Sequence, residues 1–467
     1  MPTTKSNMGS QAFTAYGWAV CLWILVIAFQ YGYHISVLNQ IQEVLTCKTT
    51  SPNEPPSKFP TCIPMSDFTF SVVTSIFTVG GLAGSLGANL VMDRWGRKGA
   101  TTISASLIAA GAGLMGVSVS VGLLGFGRFL VGVGSGIGLC VGPIFLSEIA
   151  PPSISGNVGV LTQLGIVLGI MITQALGLRL ATPTQWRMVL FFSFALSAVQ
   201  LLASMFVVES PVWLGNWGRL DQKKAVTSKL WITGAAPRLA TQSAEDSDPL
   251  LDELEARREE THGVAITVPQ LFAARELRKP LAIVCLAMAS QQLSGINAVL
   301  YYSNAILSKS LPELGPYVSL GITVVNALMT FPPIILIERL GRRRLLAIST
   351  GGALVSLYAV GFGLNTGKAT LSSIAILTFV MSFAVGLGPI PFVMIPEVSP
   401  AHAVSALSSV ALSLNWIVNF LVGLVFLPLR KFLSGGEVEK QGRVFYVFGT
   451  ALFLSMFMLS TMYHGRS

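Results

Sequence analysis

Twelve apolar runs, each long enough to cross a lipid bilayer, determine what this chain of 467 residues can fold into. A helix needs about 20 mostly apolar residues to span the hydrocarbon core of a membrane. Only 11% of the residues are charged and 52% are hydrophobic, whereas about 25% of the residues of a soluble domain are charged. Lipid must therefore cover much of the surface, and the sequence predicts an all-α, multi-pass integral membrane protein.

The apolar runs form two sets of six, separated by a long polar stretch. We expect membrane spans near residues 16–38, 68–92, 100–120, 126–147, 157–178, 188–208, 280–303, 317–337, 345–364, 372–396, 404–427 and 443–463. This spacing predicts a first six-helix half at 1–208, a linker with short surface helices at 209–279, and a second six-helix half at 280–467.

Basic residues in short loops predict the orientation of the chain. Residues 94–98 follow the second span and residues 339–344 follow the eighth, and both segments are rich in Arg and Lys. Because cytoplasmic loops are enriched in these residues, we expect both loops, both termini and the linker to be cytoplasmic. The net charge of +9 is divided among such clusters rather than forming one field, so no nucleic-acid partner is expected.

The two halves share a hexapeptide at equivalent positions. Residues 93–98 read Asp-Arg-Trp-Gly-Arg-Lys and residues 338–343 read Glu-Arg-Leu-Gly-Arg-Arg. Parallel repeats of six spans are one way in which polytopic membrane proteins are built. We expect the charged groups near these helix ends to form a cytoplasmic latch. Its predicted members are Asp93, Arg94, Arg97, Glu148, Glu209, Glu338, Arg339, Arg342, Arg343 and Glu397.

Two sequence strings in the second half are more specific than the repeat. Residues 291–302 in the seventh span read Gln-Gln-Leu-Ser-Gly-Ile-Asn-Ala-Val-Leu-Tyr-Tyr, and residues 388–391 in the tenth read Gly-Pro-Ile-Pro. These strings resemble the signatures of sugar porters in the major facilitator superfamily, and the resemblance covers nearly the whole chain. It implies the major facilitator fold with 12 transmembrane helices, and transport of a hexose or related polyol by alternating access, without a cofactor.

Neutral amides at mid-depth are the expected substrate-binding groups. An amide within a membrane span is costly unless it faces a cavity or a partner, and its donor and acceptor match sugar hydroxyls. Bonding between helices is the alternative role. The resemblance places the following residues at the sugar site: Gln163, Gln291, Gln292, Asn297, Asn326, Phe392, Asn415 and Asn419.

Helix breakers and paired tyrosines indicate the moving parts. Gly388, Pro389 and Pro391 interrupt the tenth span, because proline removes a backbone hydrogen bond. Tyr301 and Tyr302 near the outer end of the seventh span resemble an extracellular gate, although an interfacial aromatic belt is the alternative reading.

Several positions depart from the pattern of the family. Ala384 stands where sugar porters carry Glu, and Phe392 where they carry Trp. Ser155, Val212 and Val404 replace expected arginines near the latch. The weakened latch predicts a resting state that is biased inward, and the altered residues leave open a substrate other than a sugar.

His34 in the first span occupies a position where proton-coupled relatives carry Asp and facilitators carry Asn. A histidine can titrate near neutral pH, but burial favours its neutral form. We therefore expect facilitated transport. A proton-coupled symporter that uses His34, and a non-transporting nutrient receptor on the same fold, are the alternatives. We expect no enzymatic activity and no metal site, since the sequence contains no phosphate loop, no metal-spaced cluster and no nucleophile–base pair.

Two short features concern the loops. Cys47 and Cys62 share one outer loop, where pairing as a disulfide and remaining free are equally compatible with the sequence. The linker contains Asp246, Leu250 and Leu251 in an acidic dileucine pattern, for which contact with vesicle adaptors and packing of the leucines in a linker helix are the two alternatives. The expected location is then the plasma membrane or a vacuolar or endosomal membrane.

Overall fold

The computed structural model describes residues 12–48, 60–151, 154–232, 266–297, 299, 317–435, 437 and 440–463. These residues are almost entirely helical. The helices of the first half are α1 (Ala15–Leu45), α2 (Asp67–Gly116), α3 (Val121–Ile149), α4 (Ser155–Leu180) and α5 (Trp186–Ala203), and a 3₁₀ turn at Ser204–Phe206 extends α5.

The linker begins with α6 (Pro211–Asn216) and α7 (Leu220–Leu230) and ends with α8 (Val268–Ala273). A short antiparallel pair joins β1 (Ala12–Phe13) to β2 (Trp231–Ile232), so the start of the chain is attached to the linker. The dileucine residues Asp246, Leu250 and Leu251 lie outside the described residues.

The second half continues the helical pattern. Its helices are α9 (Arg278–Leu293), α10 (Val318–Met329), α11 (Phe331–Leu340), α12 (Arg342–Asn365), α13 (Ala369–Ser382), α14 (Ile390–Val398), α15 (Val404–Ser434) and α16 (Arg443–Met462). Tyr301 and Tyr302, the expected outer gate, lie outside the described residues.

Gly96 joins two expected spans within α2. Its φ of 75° lies in the left-handed region, which glycine adopts without steric cost. The carboxylate of Glu209 accepts the backbone N–H groups of Arg97 and Lys98 at 2.9 and 3.1 Å, just after this kink. The spans expected at 68–92 and 100–120 are therefore the two limbs of one kinked helix.

Among the described residues, ten helical segments are long and apolar enough to cross a membrane. The α2 segment supplies two spans because of its kink. Helix α9 begins the expected seventh span, which continues outside the described residues. This arrangement agrees with the predicted twelve-helix bundle.

The two ends of the bundle differ in chemistry. We call the end that carries Arg97 and Arg342 the basic end, and the opposite end the disulfide end, because Cys47 and Cys62 are bonded there. At the disulfide end the indole Nε1 of Trp186 donates to the carbonyl of Thr61 at 2.6 Å. The disulfide loop is thus held against the start of α5.

Small residues allow the helices of the first half to approach closely. A Cβ at Gly84 would overlap the backbone of Val133, and one at Gly136 would overlap the backbone of Gly81. Close backbone approach through small residues is a main source of helix association in membranes. Helices α2 and α3 are therefore in contact along much of their length.

Side chains of α15 join the two halves on the side of the basic end. The indole ring of Trp416 packs against Gly81, and the Ser409 hydroxyl donates to the carbonyl of Ser85. The Ser408 hydroxyl donates to the carbonyl of Cys140 at 3.0 Å. The halves are thus in contact between the membrane centre and the basic end.

Candidate functional site

Five amides form one connected hydrogen-bond network: two lie in α9, two lie in α15, and Asn297 follows the end of α9. Gln292 Nε2 donates to Asn415 Oδ1 at 3.2 Å, and Asn415 Nδ2 donates to Gln291 Oε1 at 3.2 Å. Asn297 Nδ2 donates to Gln292 Oε1 at 3.3 Å and to Asn419 Oδ1 at 2.9 Å. The sequence-predicted amides of the seventh and eleventh spans therefore lie together, and we call these five residues the amide cluster.

The amide cluster contacts the broken tenth span through Gly388. Gln291 Nε2 donates to the carbonyl of Gly388 at 2.8 Å. From the first half, the Gln163 amide packs against the same glycine, so that a Cβ at residue 388 would lie 3.1 Å from its carbon and nitrogen. Amides of both halves thus converge on one buried backbone segment, in a position where a ligand with several hydroxyls could exchange bonds with each.

The helix break itself is a π turn. Residues Phe383–Leu387 form the turn, and α14 resumes at Ile390 after Gly388 and Pro389. The Ser349 hydroxyl accepts the N–H of Leu387 at 2.8 Å, which satisfies one backbone donor released by the break. Because π turns interrupt the regular helix ladder, they frequently occur at functional sites.

Ala384 lies inside this π turn and is fully buried. Its methyl group supplies neither a donor nor an acceptor. Together with the neutral amide cluster, this residue leaves the centre of the second half without a carboxylate among the described residues. A neutral ligand fits these surroundings better than a charged one does.

Two further predicted site residues lie apart from the amide cluster. Asn326 on α10 is buried, and its Oδ1 has no hydrogen-bond partner among the described residues. One turn earlier, Thr323 Oγ1 bonds Gln174 Oε1 of α4 at 3.2 Å. Phe392 on α14 is also buried and lines a cavity at the basic end. An unsatisfied buried acceptor is costly, so Asn326 is a suitable group to receive a ligand hydroxyl.

The predicted latch residues form separate ion-pair groups in the two halves. Arg97 bonds both carboxylate oxygens of Glu148 at 2.8–3.1 Å, and this pair is almost completely buried. Arg342 bonds Glu397 at 2.6 Å and Glu338 at 3.3 Å. Arg97 begins the second limb of α2 and Arg342 begins α12, and each bonds a carboxylate near the end of another helix. Bidentate charge-assisted bonds of this kind are strong.

Glu209 contributes to the first group through backbone donors. It accepts N–H bonds from Arg97, Lys98 and Ser210. Burial raises the pKa of Glu209, while these backbone N–H bonds and the nearby Arg97 oppose the increase. The residue therefore stabilises the kink at Gly96 at the expense of desolvating its own charge.

The remaining predicted latch residues have other surroundings. The Asp93 carboxylate accepts the Asn89 amide at 2.6 Å, and the Arg94 guanidinium lies 5.2 Å from the ring centre of Trp95. Arg339 and Arg343 are exposed, and no ion pair involves them among the described residues.

One contact between the halves at the basic end does not follow from the charge pattern. The Glu338 carboxylate and the Arg342 guanidinium of the second half lie against Gly156 in the first turn of α4, where a Cβ would overlap both groups. A carboxylate near a helix N-terminus is stabilised by the N–H groups and the helix dipole. Glycine is therefore the residue that lets the two halves meet here.

His34 on α1 belongs to a buried hydrogen-bond chain with α5. Gln30 Nε2 donates to the carbonyl of Ser193 at 3.0 Å, which fixes the orientation of this amide. The Ser193 hydroxyl donates to Gln30 Oε1 at 2.8 Å, so its only hydrogen is in use. His34 Nε2 lies 2.7 Å from the same hydroxyl and must be the donor. The arrangement therefore fits the neutral ring that is protonated at Nε2.

Protonation of His34 would have to occur at Nδ1. This atom is buried and has no hydrogen-bond partner among the described residues. Arg128 places its guanidinium nearby, because its Nη1 donates to the backbone carbonyl of His34 at 2.7 Å. A second positive charge in this buried place would be unfavourable, so the structure favours a neutral His34.

Sequence reasoning missed two groups. Gln30 and Ser193 set the tautomer of His34, but polar residues in a span predict no particular partner. Trp416 packs between Gly81, Tyr31 and Phe77 across the two halves. The Asn415-Trp416 pair could have drawn attention to this ring, but it gives no indication of the glycine that it contacts.

The fold is that of a polytopic membrane protein, and comparisons with known proteins define the family. The model of the family described as "Sugar (and other) transporter" matches residues 20–464. This chain therefore belongs to the sugar (and other) transporter family. The predictions of a major facilitator fold, of a multi-pass membrane protein and of a transporter rather than an enzyme are confirmed.

Relatives of known name span most of the chain. The facilitated glucose transporter member 3 of Ovis aries is 35% identical over 431 residues, which cover 90% of this chain and 85% of the relative. The human member 3 is 33% identical, and the alignment covers 87% of this chain and 82% of the relative. A Saccharomyces cerevisiae protein with the name "Probable metabolite transport protein" is 33% identical, and the alignment covers 88% of this chain and 86% of the relative.

Solved structures share the fold. The proton–xylose symporter XylE bound to 6-bromo-6-deoxy-D-glucose aligns with a TM-score of 0.75 and 20% identity over 96% of both chains. XylE from E. coli in a partially occluded, inward-open conformation aligns with a TM-score of 0.67 and 17% identity over 96% of this chain and 99% of the other. At this level of identity, the likeness concerns the fold alone.

Proposed function

We propose that this protein carries a neutral polyhydroxy compound, a hexose or a related polyol, across the membrane by alternating access. The observation that supports the proposal best is the convergence of the amide cluster and Gln163 on Gly388. These amides come from both halves and meet at a break in a helix, and no charged side chain joins their network among the described residues. The glucose transporters among the relatives favour the same substrate class.

The helix break gives the proposed site a way to move. A π turn followed by Gly388 and Pro389 is a natural hinge, because the backbone bonds of this segment are already interrupted. Gln291 is bonded to the carbonyl at the hinge. A ligand that replaces the Gly388 carbonyl as the partner of Gln291 would release the hinge, and binding would thereby be linked to the motion of α14.

We further propose that transport is facilitative. A symporter needs a group that gains and loses a proton during its cycle. The Gln30–Ser193–His34 chain and the neighbouring Arg128 both favour a neutral His34. Proton coupling through His34 is the alternative, and it would require the ring to turn away from Ser193.

The proposed orientation places the basic end in the cytoplasm, because Lys and Arg are enriched in cytoplasmic loops. Both termini and the linker then lie on the cytoplasmic side. A vacuolar or endosomal location would follow if the dileucine pattern at Leu250 and Leu251 binds vesicle adaptors. Fluorescent fusions of the wild type and of a Leu250→Ala/Leu251→Ala variant test this, since identical distributions would contradict an adaptor role.

The transport proposal is tested by uptake of radiolabelled compounds into proteoliposomes, with and without an imposed proton gradient. The panel should contain hexoses, pentoses, a linear polyol, an amino acid and an organic acid. We expect saturable uptake of at least one sugar or polyol that stops at equal concentrations inside and outside. Uptake restricted to the charged compounds, or accumulation above equilibrium driven by the proton gradient, would contradict the proposal.

A further inference from the structure

A cavity of about 310 Å³ lies between the two halves at the basic end. Its walls in the first half come from the end of α3 and the start of α4, and those in the second half from α14 and the start of α15. Small-molecule sites occupy about 300–1,000 Å³, so the cavity is large enough for a small organic ligand. Phe392 forms part of its lining, and the cavity is distinct from the amide cluster.

The polar part of the lining is acidic. Glu148 contributes from the first half and Glu397 from the second, and the hydroxyl groups of Ser147, Ser155 and Ser399 add further acceptors. None of the residues that line the cavity within the described part of the chain is basic. The hydroxyl of Ser399 is buried and has no hydrogen-bond partner among the described residues.

The ion pairs behind the cavity contain more carboxylates than arginines, while the further basic residues of this end, such as Arg343 and Arg344, are exposed outside the cavity. Arg97 pairs with Glu148, but Asp93 and Glu209 also act on the same guanidinium. Arg342 in turn is shared between Glu397 and Glu338. Five carboxylates therefore surround two partly or fully buried arginines, and buried charges are screened much less by salt than exposed ones.

The carboxylates retain the capacity to bind a further donor. Each carboxylate oxygen can accept two hydrogen bonds, and Arg97 approaches Glu148 from one side only, through its Nε and Nη2. Apolar side chains complete the cavity beside these acceptors, namely Ile144, Val212, Val393 and Val404. A ligand for this cavity should therefore combine a cationic head with a short apolar body.

We propose that this cavity binds a small organic cation, an alkylguanidinium or alkylammonium ion, with its head between Glu148 and Glu397. Residues of both halves contact such a ligand at once. The bound cation therefore stabilises the arrangement in which the two halves meet at the basic end. None of the amide-cluster residues lines this cavity, so the proposed cation site does not depend on the proposed substrate site.

The test measures the Tm of the purified full-length protein in detergent with butylguanidinium, at constant ionic strength. Butylurea, which is neutral and of nearly the same shape, is the matched control ligand, and sodium chloride controls for inorganic cations. A ligand that binds only the folded state raises Tm, whereas guanidinium compounds without a site weaken folding. We expect butylguanidinium to raise Tm by about 1–2 °C at tenfold its Kd, and butylurea to leave it unchanged.

Substitutions inside and outside the cavity show whether the rise in Tm comes from binding in the cavity. Ser155→Arg places a tethered guanidinium in the cavity and should abolish the response, while Val119→Arg adds the same charge in an exposed loop at the disulfide end and should preserve it. If Ser155→Arg fails to fold, Ser155→Leu fills the same space without charge and should also abolish the response. An equal rise with butylurea or sodium chloride, no rise with butylguanidinium, or a full response in the filled variants would overturn the proposal.

Discussion

Gly81 of α2 and Trp416 of α15 touch across the two halves, and the indole ring occupies the space that a Cβ at residue 81 would need. The ring is buried and also packs edge-on against Phe77 at 5.5 Å between centroids. It therefore cannot move aside without disturbing its neighbours. This contact makes α2 and α15 a rigid seam between the halves in this structure.

The contact between Gly81 and Trp416 predicts that adding a single methyl group at residue 81 destabilises the protein. Gly81→Ala should separate α2 from α15 and lower the Tm by about 1–3 °C, because overpacking a dense interface typically costs about 1–3 kcal/mol. Gly87→Ala on the same helix is the matched control, since a Cβ there would meet no other atom within 4 Å. Thermal unfolding of both variants checks the prediction. Equal Tm values for the two variants would show that the contact between α2 and α15 tolerates an added methyl group.

A second prediction concerns the amide cluster. Gln292→Ala and Asn297→Ala should each weaken substrate binding about 5- to 150-fold, because a buried polar partner costs about 1–3 kcal/mol when it is left unpaired. Each variant also removes amide bonds that link α9 and α15. Substrate binding and Tm should therefore be measured together.

Asn365→Ala is the control for the amide cluster. Asn365 also bonds across the second half, where its Oδ1 accepts the N–H of Gly442 at 2.8 Å, but it lies at the disulfide-end terminus of α12. This variant should lower Tm without changing substrate affinity. Wild-type affinity in both cluster variants would mean that the amides only join helices.

The third prediction concerns the contact of Glu338 and Arg342 with Gly156. Gly156→Ala should push the two side chains away from the first turn of α4, because their flexible ends occupy the place of the new methyl group. The basic end should then open more often. Spin labels at Trp95 and Arg344, which are exposed residues on either half, would report a shift to longer distances.

Gly351→Ala provides the comparison for this variant, because a Cβ at residue 351 of α12 meets no other atom within 4 Å. Its distance distribution should match that of the wild type. The wild-type distribution itself tests the inward-biased resting state expected from Ser155, Val212 and Val404, which stays a prediction. A Gly156→Ala distribution identical to that of the wild type would mean that the latch does not depend on this close approach.

Much of the architecture could be predicted because it depends on local composition. Apolar runs of about 20 residues and the repeated hexapeptide predict the spans and the two halves, since a membrane leaves few alternatives to the helix. The sequence does not predict the kink at Gly96, because the left-handed φ of this residue and the Glu209 bond beside it depend on the folded structure. The amides of the seventh and eleventh spans could be grouped because the resemblance supplied their common site.

Other features depend on pairs of residues that are far apart in the chain. The contact of Gly156 with Glu338 joins two helices separated by the whole linker, and neither residue indicates its partner. The sequence leaves the pairing of Cys47 with Cys62 open, because two cysteines in one loop are compatible with either state until their backbone positions are known. Both contacts depend on where the fold places the residues, and the residue types alone do not predict them.

The last prediction concerns energy coupling and depends on the bond between Ser193 and His34. Because the Ser193 hydroxyl donates to Gln30, His34 must supply the proton of the 2.7 Å bond, and the ring acts as a neutral donor. Asparagine can supply the same N–H without ever titrating. His34→Asn should therefore retain uptake within about threefold of the wild type, with little dependence on pH between 5.5 and 7.5. His34→Leu, which fills similar space without a donor, should lose stability because the buried Ser193 hydroxyl oxygen is left with an unmet acceptor. Uptake under an imposed proton gradient is the deciding measurement: accumulation that collapses on addition of a protonophore, and that His34→Asn abolishes, would establish a histidine-based symporter instead.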